Sequence, residues 1–194
     1  MPPKKPKVYR SGDLHTSQPF DQCQTPAYGL DPLLPYLRQE WTIWEPAAGE
    51  RNLVRALQGG GHTVVDSDIL DTPPRDFFRW EPQQFNAIVT NPPYSTKYDF
   101  LRRCYELGKP FALLVPVETI AAAKAQRMYT RYGFEWLLLD KRINFKMPLK
   151  NYEGSGAHIP TFWFTWGLNI GAPVTIGRIV RRSDEQLRLF EEAA

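Results

Sequence analysis

Cysteine, histidine and long apolar runs are what this chain has least of. Two cysteines, Cys23 and Cys104, and three histidines, His15, His62 and His158, are spread over 194 residues. No CxxC and no paired Cys/His spacing accompanies them, so neither a zinc module nor any other metal site is expected. The same scarcity rules out a disulfide framework and fits a reducing cytosol, so a cytoplasmic location is expected. The histidines read as surface or structural residues. No apolar run reaches about 18 residues, which argues against a membrane span. Lys4, Lys5 and Lys7 are not followed by an apolar stretch, so the N-terminus does not read as a secretory signal. There is no GxGxxG fingerprint for a dinucleotide and no internal repeat. A net charge of +3 says little by itself about partners.

What is present suits one globular domain. A hydrophobic content of 42% over this length supplies one sizeable core. Residues 1–20 are rich in proline and lysine and read as a loose basic tail. Residues 21–170 read as the folded domain and 171–194 as a C-terminal extension. Lys4, Lys5, Lys7 and Arg10 at one end, and Arg178, Arg181 and Arg182 near the other, suit either phosphate contacts or solvated tails. Between the ends, strands are predicted at 41–45, 62–65, 86–90, 110–117, 134–140 and 159–167, with an edge strand at 174–180. Helices are predicted at 27–38 (broken by Pro32 and Pro35), from 53, at 96–108, at 118–132 and at 184–192. Gly59-Gly60-Gly61 reads as a helix stop. Strands alternating with helices imply an α/β fold with a mostly parallel sheet in three layers, the last two long strands closing it as an antiparallel pair.

The richest stretch is Phe85-Asn86-Ala87-Ile88-Val89-Thr90-Asn91-Pro92-Pro93-Tyr94. A short buried strand delivers Asn91 to its carboxyl end, where open α/β sheets bind ligands. Pro92 and Pro93 fix two φ angles and remove two backbone donors, and each restrains the residue before it. The resulting corner offers an amide side chain, bare carbonyls and an aromatic ring. Such a set can hold a planar amino group between two acceptors while a ring stacks on the attached base. Taken alone, Pro-Pro after a strand is also common punctuation, and a strand-terminal Asn also caps helices.

Upstream, Trp41–Glu45 is followed by Pro46-Ala47-Ala48-Gly49-Glu50-Arg51 and the start of a helix. The small residues allow close approach to the backbone. Glu45 and Glu50 at the strand end and helix start disfavour a phosphate and favour a cationic or hydroxyl-bearing ligand. The strand at 62–65 runs into Asp66-Ser67-Asp68, placing an acid where a ribose hydroxyl pair binds in such units; Asp68 is preferred over Asp66. Asp76, with Phe77 and Phe78 beside it, offers a carboxylate and rings to an adenine. A lone loop aspartate is also commonly just a solvated acid.

Taken together, Glu45-Pro46-Ala47-Ala48-Gly49, Asp68, Asp76-Phe77 and Thr90-Asn91-Pro92-Pro93-Tyr94 resemble the amino-group methyltransferases that use S-adenosylmethionine. More narrowly, the chain looks like the small phage-type DNA N6-adenine methyltransferases, a family that includes restriction-modification enzymes. Gln24-Thr25-Pro26 resembles the family's N-terminal cofactor motif. Lys109–Pro116, Arg142-Ile143-Asn144-Phe145 and the aromatic run 162–166 resemble its later segments. The likeness covers about residues 20–170. It implies a Rossmann-like class I methyltransferase fold with one antiparallel strand and helices on both faces. It implies cofactor contacts from Thr25, Pro26, Glu45, Pro46, Ala47, Gly49, Asp68, Ile69, Asp76, Phe77 and Asn91. Catalysis falls to Asn91, Pro92, Pro93 and Tyr94, and DNA contacts to Tyr94, Lys97, Lys146, Lys150 and Tyr152. The last two lie in a 146–158 loop that suits a substrate contact or a plain surface loop. Arg51 departs from the pattern: the family loop carries a second glycine there. A side chain at that place crowds the cofactor's amino acid part unless it points outward.

The implied activity is methyl transfer to the N6 amino group of adenine in DNA. The rivals are N4-cytosine methylation of DNA, adenine methylation of RNA, glutamine methylation of protein, and a non-catalytic nucleic-acid-binding relative. An added N-terminal helical domain, usual for the protein-directed enzymes, finds no room in this length. No separate target-recognition domain is evident.

Overall fold

The computed structural model describes residues 19–146, 159–171 and 174–177. The predicted helix at 184–192 and most of the 146–158 loop, with Lys150 and Tyr152, lie outside them. So do His15, His158 and the basic residues of both tails.

Seven strands form one sheet: β1 Thr42–Glu45, β2 Thr63–Asp66, β3 Ala87–Thr90, β4 Phe111–Pro116, β5 Glu135–Leu139, β6 Thr161–Trp166 and β7 Val174–Gly177. Their order is β2-β1-β3-β4-β6-β5-β7. Strands β1 to β4 pair in parallel, and β7 pairs in parallel with β5. Only β6, wedged between β4 and β5, runs antiparallel to its neighbours. This is the Rossmann-like arrangement the resemblance implies: mostly parallel, with one antiparallel strand.

The helices are α1 Asn52–Gly59, α2 Lys97–Leu107 and α3 Ala123–Tyr132. Strand alternation sends successive side chains to opposite faces, and both faces are buried. Ile43, Ala87, Val89, Ala112, Leu114 and Trp163 pack with Leu53 and Leu57 of α1 and with Leu30, Leu33 and Leu37. Trp44, Ile88, Phe111, Leu113, Phe162 and Phe164 pack with Phe100, Leu101 and Cys104 of α2 and Ala125 of α3. Helices therefore cover both sides. No helix among the described residues is long and apolar enough to cross a membrane.

Two helical expectations need correction. Residues 27–38 form two short 3-10 turns, Ala27–Gly29 and Leu34–Tyr36, rather than one broken helix. Pro32 and Pro35 withhold the amides a continuous helix needs. The predicted 118–132 helix splits into a 3-10 turn, Val117–Ala121, and α3. Ala122 is extended, with ψ of 130°, and separates them.

Candidate active site

The carboxyl ends of β1, β2 and β3 open onto a cleft of about 830 Å3. That size is typical of a cofactor site. Its position is where open α/β sheets take ligands. Of the residues assigned from sequence to the cofactor, Thr25, Glu45, Pro46, Ala47, Gly49, Asp68, Ile69, Asp76, Phe77 and Asn91 line the cleft. Pro26 does not.

The loop after β1 is tightly held. Ala47 N–H donates to Glu45 Oε1 at 3.0 Å, and Gly49 N–H donates to Asp68 Oδ2 at 2.8 Å. Asp68 Oδ1 also accepts from Leu70 N–H at 2.9 Å. Asp68 thus joins the loops that follow β1 and β2 and keeps further acceptor capacity. Asp76 Oδ1 accepts from Phe78 N–H at 2.9 Å, so it too is oriented by its own turn. Gly49 has a φ of +48°, a left-handed value glycine adopts cheaply.

Arg51 also sits at a left-handed φ, +61°. This explains why a glycine suits the position. The side chain does not block the cleft floor. Arg51 is exposed and turns to the end of β2, where Nε donates to Asp66 Oδ2 at 2.6 Å and Nη2 lies 3.7 Å from Asp71. Those pairs offset the backbone cost and form one lip of the cleft. Asp66, the alternative ribose acid, is occupied by Arg51 and does not line the cleft.

Glu45 is 1% exposed. Burial pushes its carboxyl up to about 8, with the Thr90 hydroxyl and the Ala47 amide pulling it partly back and Asp68 and Asp66 raising it further. The lining is acidic: Asp21, Glu50, Asp68, Asp71 and Asp76, with the protonated Glu45, face a single guanidinium, Arg51. Thr25 is 3% exposed on the cleft, and its hydroxyl has no partner. Among the described residues, no cluster of three His, Cys, Asp or Glu side chains gathers to hold a metal.

At the end of β3, Asn91 and Pro93 line the cleft. Asn91 Nδ2 donates to the Cys23 carbonyl at 3.0 Å. Its Oδ1 is buried and has no partner. A carbonyl can only accept, so this bond fixes which end of the amide faces inward. The Pro93 carbonyl accepts from Thr96 N–H, and the Tyr94 carbonyl accepts from Lys97 Nζ at 2.9 Å.

The rest of the corner departs from expectation. Pro92 is buried and does not line the cleft. Tyr94 is 8% exposed, its hydroxyl has no partner, and burial drives that hydroxyl far above its ordinary range. The ring is packed inside, not offered to a ligand. Lys97, expected at DNA, is bound to its own corner and lies 4.8 Å from the Tyr98 ring centroid. Lys146 is exposed and does not itself line the cleft, though its backbone pairs with Gln24, which does. Phe77 is 2% exposed and stacks on Phe100 with centroids 4.4 Å apart. Phe78, half-buried beside it, presents the more accessible ring.

Several lining residues were missed from sequence: Asp21, Cys23, Ser95, Thr96 and Phe100. The first two precede the Gln24-Thr25-Pro26 motif and the next two follow Tyr94, so adjacency to a motif was the only available signal. Cys23 and Cys104 form no disulfide and are buried. Burial, then Asp21, pushes the Cys23 thiol up to about 11, which leaves it inert at neutral pH.

No family model matches the chain, and no curated protein sequence matches it. A solved structure from Listeria monocytogenes, named provisionally as a class I S-adenosylmethionine-dependent methyltransferase, aligns with 94% of this chain and 73% of its own. The identity is 12% and the TM-score 0.47. At that distance the likeness adds nothing to what the strand order already shows about the fold.

Proposed function

We propose that this protein is an S-adenosylmethionine-dependent methyltransferase that acts on the N6 amino group of adenine in DNA. The observation that carries the reading is Asn91. Its amide is pinned at the end of β3 with a buried, unpartnered oxygen, on the wall of an acidic cleft. A buried acceptor without a donor costs about 1–3 kcal/mol, and an incoming N–H fills it. The choice of adenine, and of DNA, rests on the resemblance of the NPPY, EPAAG and QTP segments.

The cleft suits this cofactor. Five carboxylates against one guanidinium, with the Glu45 carboxyl beside them, favour a ligand bearing a sulfonium and an ammonium over a phosphorylated one. In this reading Asp68 takes a ribose hydroxyl pair, and Asp76 and Phe78 take the adenine edge and face. The unpartnered Thr25 hydroxyl is a further contact. When bound, the cofactor supplies an electrophilic methyl group. The protein supplies position and electrostatics. In this reading Asn91 Oδ1 accepts a hydrogen bond from one amino N–H of the target base, and the Pro92 carbonyl, buried beside the cleft, has to come within reach of the other. This aims the nitrogen lone pair away from the ring plane. The nitrogen gains the methyl group and sheds one proton to water. In a duplex, the base has to leave the stack to reach the corner.

Incubation with isotopically labelled cofactor and DNA, followed by nucleoside mass spectrometry, tests the reading. Labelled N6-methyldeoxyadenosine is the expected product; label in RNA nucleosides or in protein glutamine instead would redirect it. Asn91→Ala is expected to fold and bind cofactor while losing about 100-fold or more in turnover.

A further inference from the structure

Residues 19–26 cross the mouth of the Asn91 corner as a strap. A 3-10 turn, Pro19–Gln22, carries Asp21, whose Oδ1 accepts from Ser95 N–H at 2.9 Å and whose Oδ2 accepts from Ser95 Oγ at 2.6 Å. Ser95 directly follows Tyr94. Two residues beyond Asp21, the Cys23 carbonyl accepts from Asn91 Nδ2. One further on, Gln24 exchanges both backbone hydrogen bonds with Lys146, and its Oε1 accepts from Glu50 N–H at 3.3 Å. The strap is thus tied to the corner, to the loop that opens α1 and to the 141–146 segment.

The Cys23 bond has a chemical consequence. An unrestrained asparagine can turn either its donors or its acceptor to a ligand. Here one Nδ2 hydrogen is held by a main-chain carbonyl 68 residues away, which fixes the amide plane and leaves Oδ1 as its unpaired acceptor. Pro92 and Pro93 have no N–H. The corner's unpaired acceptor is therefore Asn91 Oδ1, held in one orientation. Oδ1 fits an N–H donor and disfavours a ring carbonyl, which would meet it oxygen against oxygen.

We propose that this strap is the positioning and selectivity device of the site: the Asp21–Ser95 clasp holds the Cys23 carbonyl in register, and that carbonyl locks Asn91 as an acceptor for an amino-bearing base. The inference rests on the methyltransferase reading for its substrate, but the lock itself is a property of the protein alone. Asp21 and Ser95 act through Asn91 and are positioning residues.

Two readouts separate the inference from the reading beneath it. The first is the solvent exchange of the Asn91 side-chain NH2 in the full chain, assigned by NMR through its loss in Asn91→Asp. It is expected to be slow in the wild type and about tenfold faster in Asp21→Ala. Asp21→Asn, whose side-chain oxygen can still accept from Ser95, is expected to restore much of the protection. The second is kinetic. Asp21→Ala is expected to lower kcat for methyl transfer about tenfold or more, with little change in the cofactor KM. If Asp21→Ala does not fold, Ser95→Ala, which removes only one of the two clasp bonds, carries the same readouts with a smaller effect. Fast exchange in the wild type, or equal exchange in wild type and clasp variants, overturns the inference whatever the enzyme does. Protected exchange that loosens in the variants supports the lock, and a wild type that methylates no nucleic acid then fails the functional reading alone.

Discussion

Asn91 and Tyr94 stand three residues apart and meet opposite fates. Asn91 lines the cleft and is fixed through Nδ2, with its oxygen buried and unpartnered. Tyr94 is folded into the core with a hydroxyl that finds no partner. From sequence both look alike, as polar or amphipathic groups on a stiff corner. Only packing separates them, because the corner's direction relative to β4 and to the strap is not written in residue type. Tyr94→Phe removes an unpartnered buried hydroxyl and keeps the ring, so it is expected to stabilise the fold by about 1 kcal/mol. Urea unfolding midpoints measure this, and a lower midpoint would mean that the hydroxyl has an unseen partner. Arg51 offers a second residue-scale contrast. Arg51→Gly and Arg51→Ala both lose the Asp66 pair, but only glycine is at ease at a φ of +61°. The glycine variant is expected to melt higher than the alanine variant; the reverse order would show that the backbone there is unstrained.

At the scale of elements, the sheet was legible and the short helices were not. Strands such as Ala87–Thr90 and Phe111–Pro116 announce themselves as apolar runs bounded by Pro, Gly or polar clusters, and both are buried throughout. The 27–38 and 118–132 segments carry helical spacing, yet local backbone geometry breaks both. The cleft floor was legible for a related reason: Glu45, Gly49, Asp68 and Asn91 are fixed by position at strand ends. The strap was not, because its decisive group is a backbone carbonyl, which any residue supplies. The 27–36 turns are held instead by a long-range bond, in which Trp163 Nε1 of β6 donates to the Gly29 carbonyl at 3.0 Å. Gly29 is close-packed there, with a Cβ at its position only 3.0 Å from Ile143 and Thr25 atoms. Trp163→Phe leaves that carbonyl unpaired in the core and is expected to cost about 1–3 kcal/mol of stability, measured by thermal or urea unfolding. An unchanged midpoint would show that the turns stand without β6.

For the whole molecule, the buried Glu45 carboxyl links folding to pH and, on the proposed function, to cofactor. In the unfolded chain it ionises near its ordinary 4.5, and in the fold it holds its proton to about 8. Between those values the folded chain carries one more proton than the unfolded chain, so the contribution of Glu45 to stability falls as pH rises through that window and is level above it. The expected loss is about 4 kcal/mol from pH 4.5 to 8, since one pKa unit is worth about 1.4 kcal/mol. Glu45→Gln mimics the protonated form and is expected to remove that part of the slope. Its unfolding free energy, followed against pH beside the wild type, measures the difference. Parallel curves would mean that Glu45 is already ionised at neutral pH. The same proton links to ligand. A sulfonium and an ammonium entering the cleft favour the carboxylate, so cofactor binding at pH 7 is expected to release close to one proton. Calorimetry in two buffers of different ionisation enthalpy reads that number directly. Glu45→Gln is expected to abolish the release, and a wild type that takes up or exchanges no proton would place the cationic groups away from β1.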